Sequence, residues 1–149
     1  MTMRNWVRGL LAAAFLLLPA GCLDSQVSTV TTGKEFRGEE NLDAIRKGII
    51  GWQTTHMDSP LPDSLSEISN VPAEFRNAPG GLADGYIYLF LKSGDNAHYV
   101  LMAYPKQHGF NGERTFFLAD MGAVKARDLG KDYDHGDWDY DSAVEAMAR

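Results

Sequence analysis

The sequence predicts an α+β fold in which one N-terminal amphipathic helix packs on an antiparallel sheet of three to four strands. Two observations lead to this class. Apolar residues recur at intervals of three or four from Asn41 onward, but with a period of two from Tyr86 onward. Because the helical pattern precedes all the strand patterns instead of alternating with them, the strands are expected to pair in an antiparallel order.

The predicted helix starts near Asn41 and must end before Pro60, because proline lacks a backbone donor and clashes with the preceding turn. Ser64 and Glu67 have the spacing of a capping box and predict a short helical turn. Glycines at positions 48 and 51 each weaken a helix by about 1 kcal/mol relative to alanine, so something is expected to pack closely there. The apolar stripe consists of Leu42, Ile45, Ile49 and Trp52.

The predicted strands follow a loop over residues 72–85 that is rich in Gly and Pro. The first strand alternates aromatic and aliphatic residues, so we expect it to be covered on both faces. An acidic tail begins at Asp128 and ends in a predicted short helix over Val144 and Met147. The strands are predicted over residues 86–91, 98–104, 114–119 and 123–127.

The first 21 residues have the three regions of a secretory signal: Arg4 and Arg8, an apolar run, and small residues before Cys22. An apolar run of about ten residues has half of the ~20 that a membrane-spanning helix needs. The sequence Leu-Pro-Ala-Gly-Cys at residues 18–22 resembles the lipobox of bacterial lipoproteins, with Pro19 where the box usually has Leu. This resemblance implies cleavage by signal peptidase II and a lipid on Cys22. The alternative is an ordinary cleavage that leaves a free thiol.

These observations divide the chain into a signal peptide (residues 1–21), a lipidated cysteine with a flexible tether (22–40) and a single α+β domain (41–149). Cys22 is the only cysteine, so the chain forms no intramolecular disulfide. Without the signal peptide, the chain has 12 basic and 20 acidic residues and therefore a net charge of −8. This negative charge argues against nucleic acid as a partner. The predicted location is the cell envelope, on either the inner or the outer membrane.

Two stretches resemble the pilin-like headgroup of type II secretion pseudopilins. Residues 41–45 with the continuation to His56, followed by Leu-Pro-Asp-Ser-Leu-Ser-Glu-Ile at 61–68, resemble the helix and loop of that family. Residues 99–105, 112–117 and 122–124 are similar to its strands and turn. The resemblance implies the headgroup fold but not polymerisation, because Gly9 is followed by no Glu at the position that pilin-like processing requires.

The C-terminal part also resembles a second family. Ala-Tyr-Pro at 103–105, Thr-Phe-Phe at 115–117 and Arg-Asp-Leu-Gly at 127–130 are similar to a family of exported bacterial proteins of unknown function. This likeness covers about the last 65 residues and implies export but no activity.

The acidic tail is the one candidate for a metal site. Alternating carboxylates can supply the oxygen ligands that Ca²⁺ prefers, and some pseudopilins hold calcium in a C-terminal loop. The spacing does not fit an EF-hand, and a solvated acidic tail is the competing interpretation. The candidate calcium ligands are Asp132, Asp134, Asp137, Asp139 and Asp141.

These residues are compatible with two classes of function. The first is a non-catalytic interaction or assembly module that is anchored to a membrane through its lipid and contacts other envelope proteins. The second is an envelope hydrolase whose site is assembled from dispersed residues, with His98, His108 and Asp120 as candidates. No serine lies in a nucleophile-elbow sequence, and no histidine pair has the spacing of a helical zinc site. The sequence therefore favours the interaction module.

Overall fold

The computed structural model describes residues 21–76, 81–134 and 138–149. Residues 1–20 of the predicted signal peptide lie outside these ranges. The described part contains three α-helices and one antiparallel sheet with the strand order β1-β2-β3-β4-β5. The helices are α1 (Gly21–Thr55), α2 (Ala73–Arg76) and α3 (Tyr140–Ala148), and the strands are β1 (Gly81–Ala83), β2 (Tyr86–Lys92), β3 (Tyr99–Pro105), β4 (Arg114–Ala119) and β5 (Lys125–Asp128). The α+β prediction is confirmed.

The sheet has one strand more than predicted. β1 lies inside the segment expected to be a loop, and it pairs with β2 in the register Ala83↔Tyr86. The two-residue connection, Asp84 and Gly85, has positive φ angles of 53° and 83°. Two consecutive positive φ values are typical of the tight hairpin turns that match the twist of antiparallel strands, and Asp-Gly is a preferred sequence for them.

Helix α1 begins 20 residues earlier than the apolar pattern indicates, at Gly21 instead of Asn41. The prediction of a flexible tether as far as residue 40 is therefore corrected. Glu35 and Gly38 are already buried, and Gly38 lies against the ring of Phe116. The spacing of apolar residues did not indicate that these positions are buried, because neither is apolar in the usual sense. Glu35 contacts the sheet through its carboxylate, and Gly38 has no side chain, which lets the helix approach Phe116 closely.

The first core lies between α1 and one face of the sheet, and the tyrosines of β2 contribute to it. Leu42, Ile45 and Ile49 of the predicted stripe are fully buried there. A capping box forms as expected: Ser64 Oγ accepts the Ser66 N–H at 3.2 Å and Glu67 accepts the Ser64 N–H at 3.2 Å. This box fixes the loop that closes the end of the core.

The second core covers the opposite face of the sheet, and the C-terminal tail builds it. Tyr104 and Phe117 point to this face and contact the ring of Trp138 at centroid distances of 5.9 and 6.3 Å. Ala143 on α3 is fully buried against them. The tail is thus a layer of the domain and not only a solvated acidic extension, which corrects the simpler interpretation. β2 is covered on both faces, as its alternating sequence predicted.

Candidate functional site

The predicted lipid attachment site lies at the start of the long helix. Cys22 is the second residue of α1, and its side chain is not among those described. At 1.5 Å per residue, about 20 Å of helix separates Cys22 from Glu35. Of the helices in the described ranges, none combines the length and the apolar content that crossing a bilayer requires.

Glu35 fastens this helix to the sheet. Glu35 is 7% exposed. Its Oε1 atom accepts hydrogen bonds from the backbone N–H groups of Glu113 and Arg114 at 2.8 and 3.1 Å. The second oxygen, Oε2, accepts hydrogen bonds from Nε and Nη2 of Arg114 at 3.2 and 2.8 Å. Burial alone would raise the pKa of Glu35, but the hydrogen bonds from Arg114 and the two backbone donors outweigh it and lower the pKa. We call this arrangement the Glu35–Arg114 clasp.

Two further polar contacts hold the same helix in register. Arg37 Nη1 lies 3.0 Å from Asp84 Oδ1 in the β1–β2 turn. Asn41 Nδ2 donates to the hydroxyl of Tyr88 at 2.9 Å. That hydroxyl belongs to a fully buried side chain whose pKa is raised to about 12 by burial. The helix is therefore positioned on the sheet by charged and polar contacts before its apolar stripe begins.

The histidines proposed for a dispersed hydrolase site do not meet. His98 Nδ1 lies 2.8 Å from Asp120 Oδ2, whereas His108 Nε2 lies 2.8 Å from Asp128 Oδ1. These pairs flank opposite ends of β3, separated by about 20 Å of strand at 3.4 Å per residue. The hydrogen bond and charge of Asp120 raise the pKa of His98, and the hydrogen bond from His108 lowers the pKa of Asp128. Within the described residues, neither pair is joined by a hydroxyl or thiol side chain that would complete a triad.

The candidate calcium ligands take separate positions. Asp132 accepts the backbone N–H of His108 at 2.7 Å, and Asp139 is the N-cap of α3 and accepts the Ser142 N–H at 2.8 Å. Asp134 and Asp141 are exposed, and Asp137 lies outside the described residues. In the ranges that the structure covers, no three acidic, His or Cys side chains gather as a metal site would need. The calcium site stays a prediction.

A concave surface lies between β5 and α3, with a volume of about 590 Å³. We call it the β5–α3 groove. Trp138 and Ala146 contribute apolar surface to it. Its charged lining has as many basic as acidic side chains: Arg127, Lys131, Arg149, Asp128, Asp134 and Glu145. Arg127 Nη2 donates to the carbonyl of Met147 at 3.3 Å, near the end of α3, where a positive charge complements the helix dipole. Arg127 Nε is buried and has no hydrogen-bond partner among the described residues. Pockets of this size can accommodate a small ligand or a short peptide segment.

Sequence patterns did not indicate the clasp and indicated the groove only weakly. Glu35 stands in a Ser-, Thr- and Gly-rich stretch, and its partner Arg114 is 79 positions away. No local pattern signals such a pair. The groove had a weak signal, because Tyr133, Trp138 and Tyr140 are unusual in a tail that is only solvated.

Comparisons with known proteins add no relative. No protein-family model, no curated protein and no solved structure matches the chain.

Proposed function

We propose that this chain is an exported lipoprotein whose α+β domain is a non-catalytic interaction module, held at a membrane by lipid on Cys22. The observation that carries the proposal is the continuity of α1, which runs from the residue before Cys22 into the core of the domain. A lipid on this cysteine would be connected to the sheet by helix and not by loose chain. The domain would then stand off from the membrane in a defined orientation.

The Glu35–Arg114 clasp supports this proposal because it fixes the point at which the helix joins the sheet. Four hydrogen bonds to one buried carboxylate are more than a segment would need if it served only as a spacer. The pilin-like resemblance agrees with the arrangement, since it also implies a long N-terminal helix in front of an antiparallel sheet. We extend the proposal to a location in the cell envelope and to a protein partner there.

The separated histidines favour the interaction module over the hydrolase. His98 and His108 each pair with a single carboxylate at opposite ends of β3, so the dispersed site would lack the convergence that general acid–base catalysis needs. Both pairs have the geometry of ion pairs that fasten loops to strands. The proposal includes calcium in one role only: a bound Ca²⁺ ion would order residues 132–141.

The anchor is tested by labelling bacteria that express the tagged chain with radioactive palmitate. We expect label in the protein, and membrane association that survives a high-salt wash, because two or more acyl chains make anchoring stable. Cys22→Ser should abolish both. The matched control moves the cysteine by three positions, combining Cys22→Ser with Ser25→Cys, and should remain unlabelled because the lipobox no longer precedes the thiol. A wild-type chain that is unlabelled and washes off the membrane would show that the anchor is wrong.

A further inference from the structure

The loop between β3 and β4 is held in one shape by its own backbone. The N–H groups of Gly109 and Asn111 donate to the carbonyl groups of Gly112 and Gln107 at 2.8 and 2.9 Å. Gly109 has a φ of 77°, a conformation that glycine adopts without strain and other residues rarely reach. These bonds define a tight loop in which Phe110 lies between Gly109 and Asn111.

The same loop is fastened to two other parts of the chain. The Lys106 N–H donates to the carbonyl of Gly85 in the β1–β2 turn at 3.0 Å. The His108 N–H donates to Asp132 Oδ1 at 2.7 Å, and His108 Nε2 lies 2.8 Å from Asp128 Oδ1. Contacts with the rest of the domain therefore set the position of the loop before any ligand is present.

Phe110 projects from this arrangement and has 62% of its surface exposed. Burying a phenylalanine side chain contributes about 1.5–3 kcal/mol to stability, and a fixed loop that holds the ring at the surface forgoes much of this gain. A single exposed apolar residue is common on proteins and by itself indicates little. Phe110 borders a pocket, and this makes its exposure informative.

The pocket has a volume of about 450 Å³ and lies between the loop, the β1–β2 turn and the chain after β5. Cavities of about 300–1,000 Å³ are typical of small-molecule sites. A Cβ atom at Gly85 would lie 2.3 Å from Nδ2 of Asn111, so the missing side chain leaves room for this amide group. We call the cavity the Phe110 pocket; it is lined by Gly85, Lys106, Gln107, Phe110, Asn111 and Asp132.

The polar lining of the Phe110 pocket suits a neutral ligand. Its two charged side chains, Lys106 and Asp132, have opposite signs, so the lining has no net charge. The side-chain amides of Gln107 and Asn111 form no hydrogen bond within the part of the chain that the structure describes. Each amide offers two donors and an acceptor side by side. A neutral ligand with neighbouring donors and acceptors would satisfy both amides.

Sugars of the N-acetylhexosamine type combine these features in one molecule. The acetamido group presents an N–H donor and a carbonyl acceptor, which match the amide side chains of the pocket. Its methyl group and the C–H face of the pyranose ring are apolar and can pack against an aromatic ring. A purely apolar ligand would instead remove water from the amides without replacing their hydrogen bonds, which is costly.

We propose that the Phe110 pocket binds an N-acetylhexosamine unit of a neutral glycan. Phe110 packs against the methyl group and the C–H face of the sugar, while Gln107 and Asn111 hydrogen-bond to its acetamido group and ring hydroxyls. Lys106 and Asp132 reach the remaining hydroxyls at the rim. The inference goes beyond the proposed interaction module and does not depend on the lipid anchor, because the pocket contains no residue of α1.

A membrane surface is the competing occupant of this loop, since an exposed aromatic side chain next to a lysine can also insert among lipid headgroups. The two amides favour the sugar, because the apolar part of a bilayer would leave them without hydrogen-bond partners. The two occupants are separated by measuring the binding of sugar and of lipid vesicles with the same variants.

The test titrates tri-N-acetylchitotriose into the isotope-labelled full chain, in a nonionic detergent without a sugar headgroup, and follows the backbone amide signals by NMR. We expect saturable shifts that centre on residues 106–112. Cellotriose is the matched probe, because it has the same linkage and ring but lacks the acetamido groups. It should bind about tenfold more weakly, corresponding to about 1.4 kcal/mol.

Two variants test the two halves of the pocket. Phe110→Ala and Gln107→Leu should each weaken binding of the acetylated sugar about fivefold, through loss of the aromatic contact and of the amide hydrogen bonds. Met121→Ala is the control for the first, since Met121 is apolar, 94% exposed and outside the pocket. Gln53→Leu is the control for the second, on α1. Unchanged thermal unfolding of each variant shows that the fold is retained.

Shifts that centre elsewhere, equal binding of cellotriose, or undiminished binding by Phe110→Ala would each overturn the proposal. Cosedimentation of Cys22→Ser with phosphatidylcholine vesicles that Phe110→Ala abolishes would assign the loop to the membrane and would also overturn it. The sugar titration is repeated with Cys22→Ser, which lacks the anchor site but retains the pocket. Labelled palmitate without sugar binding would therefore refute the pocket alone, and sugar binding without label would refute the anchor alone.

Discussion

Replacing Glu35 by Gln should destabilise the domain although it changes one functional group by a single atom. The amide that replaces the carboxylate retains one oxygen that can accept backbone N–H groups, but its nitrogen cannot accept a hydrogen bond from Arg114. A hydrogen bond to a charged group contributes about 1.5–3 kcal/mol, against about 1 kcal/mol for a neutral one, and the clasp contains four. Breaking a fully buried ion pair costs about 3–5 kcal/mol.

The cost should fall below that range because the two partners differ in exposure. The side chain of Glu35 is 9% exposed, but that of Arg114 is 51% exposed and regains water when its partner is neutral. We therefore expect the free energy of unfolding to drop by about 2–3 kcal/mol at pH 7. Urea unfolding of residues 23–149 measures it. Glu40→Gln is the matched control, because this residue lies on the same helix, is exposed and joins no ion pair in the described part of the chain.

The pH dependence of the free energy of unfolding tests the role of Glu35 in a second way. The pKa of Glu35 is lowered from its ordinary value near 4.5, so its carboxylate stabilises the folded state above that pH. The contribution is lost as the pH falls through the lower folded pKa. The difference between the wild type and Glu35→Gln should therefore shrink in acid. If Glu35→Gln matches Glu40→Gln at pH 7, or if the difference does not depend on pH, the clasp does not stabilise the fold as argued.

Two further predictions concern packing and titration. Gly48→Ala should lower the melting temperature despite its better helix propensity, because the added Cβ would lie 2.7 Å from Val71 Cα; Gly33→Ala, with nothing within 4 Å, should leave it unchanged or raise it. A lower melting temperature for both variants would contradict the packing argument. The pKa of His98, followed by NMR of the imidazole, should lie above its ordinary value and should decrease in Asp120→Asn. An unchanged midpoint would show that the pair is not formed in solution.

The parts of the fold that follow from local pattern were predictable from the sequence. β4 was placed at its observed bounds, and β2 and β3 to within one residue, because each alternates side chains between two apolar layers. β1 was missed although its signal was present: Asp84-Gly85 before an alternating run is a hairpin sequence. The surrounding glycines and proline indicated a loop more strongly than the dipeptide indicated a turn.

The parts that depend on distant partners were not predictable. The part of α1 before Asn41 is attached to the sheet through Glu35, whose burial becomes favourable only when Arg114 supplies its hydrogen bonds. An acidic residue in a polar stretch otherwise predicts exposure. The groove depends in the same way on the return of the tail across the sheet, where Trp138 meets Tyr104 after a separation of 34 residues. One sequence does not reveal such pairings, since each residue is ordinary in its own neighbourhood.

The clasp and the groove are connected through one pair of strands. Arg114, which holds Glu35, is also the residue of β4 that pairs with Asp128 of β5. Asp128 in turn pairs with His108 and lines the β5–α3 groove. The helix that would carry the lipid is thus fastened to β4, the strand next to β5, and not to the far side of the sheet. Because β5 is only four residues long, its position is determined by β4 and α3. The β5–α3 groove is therefore held, through β4 and the clasp, in a defined position relative to the helix that leads to Cys22.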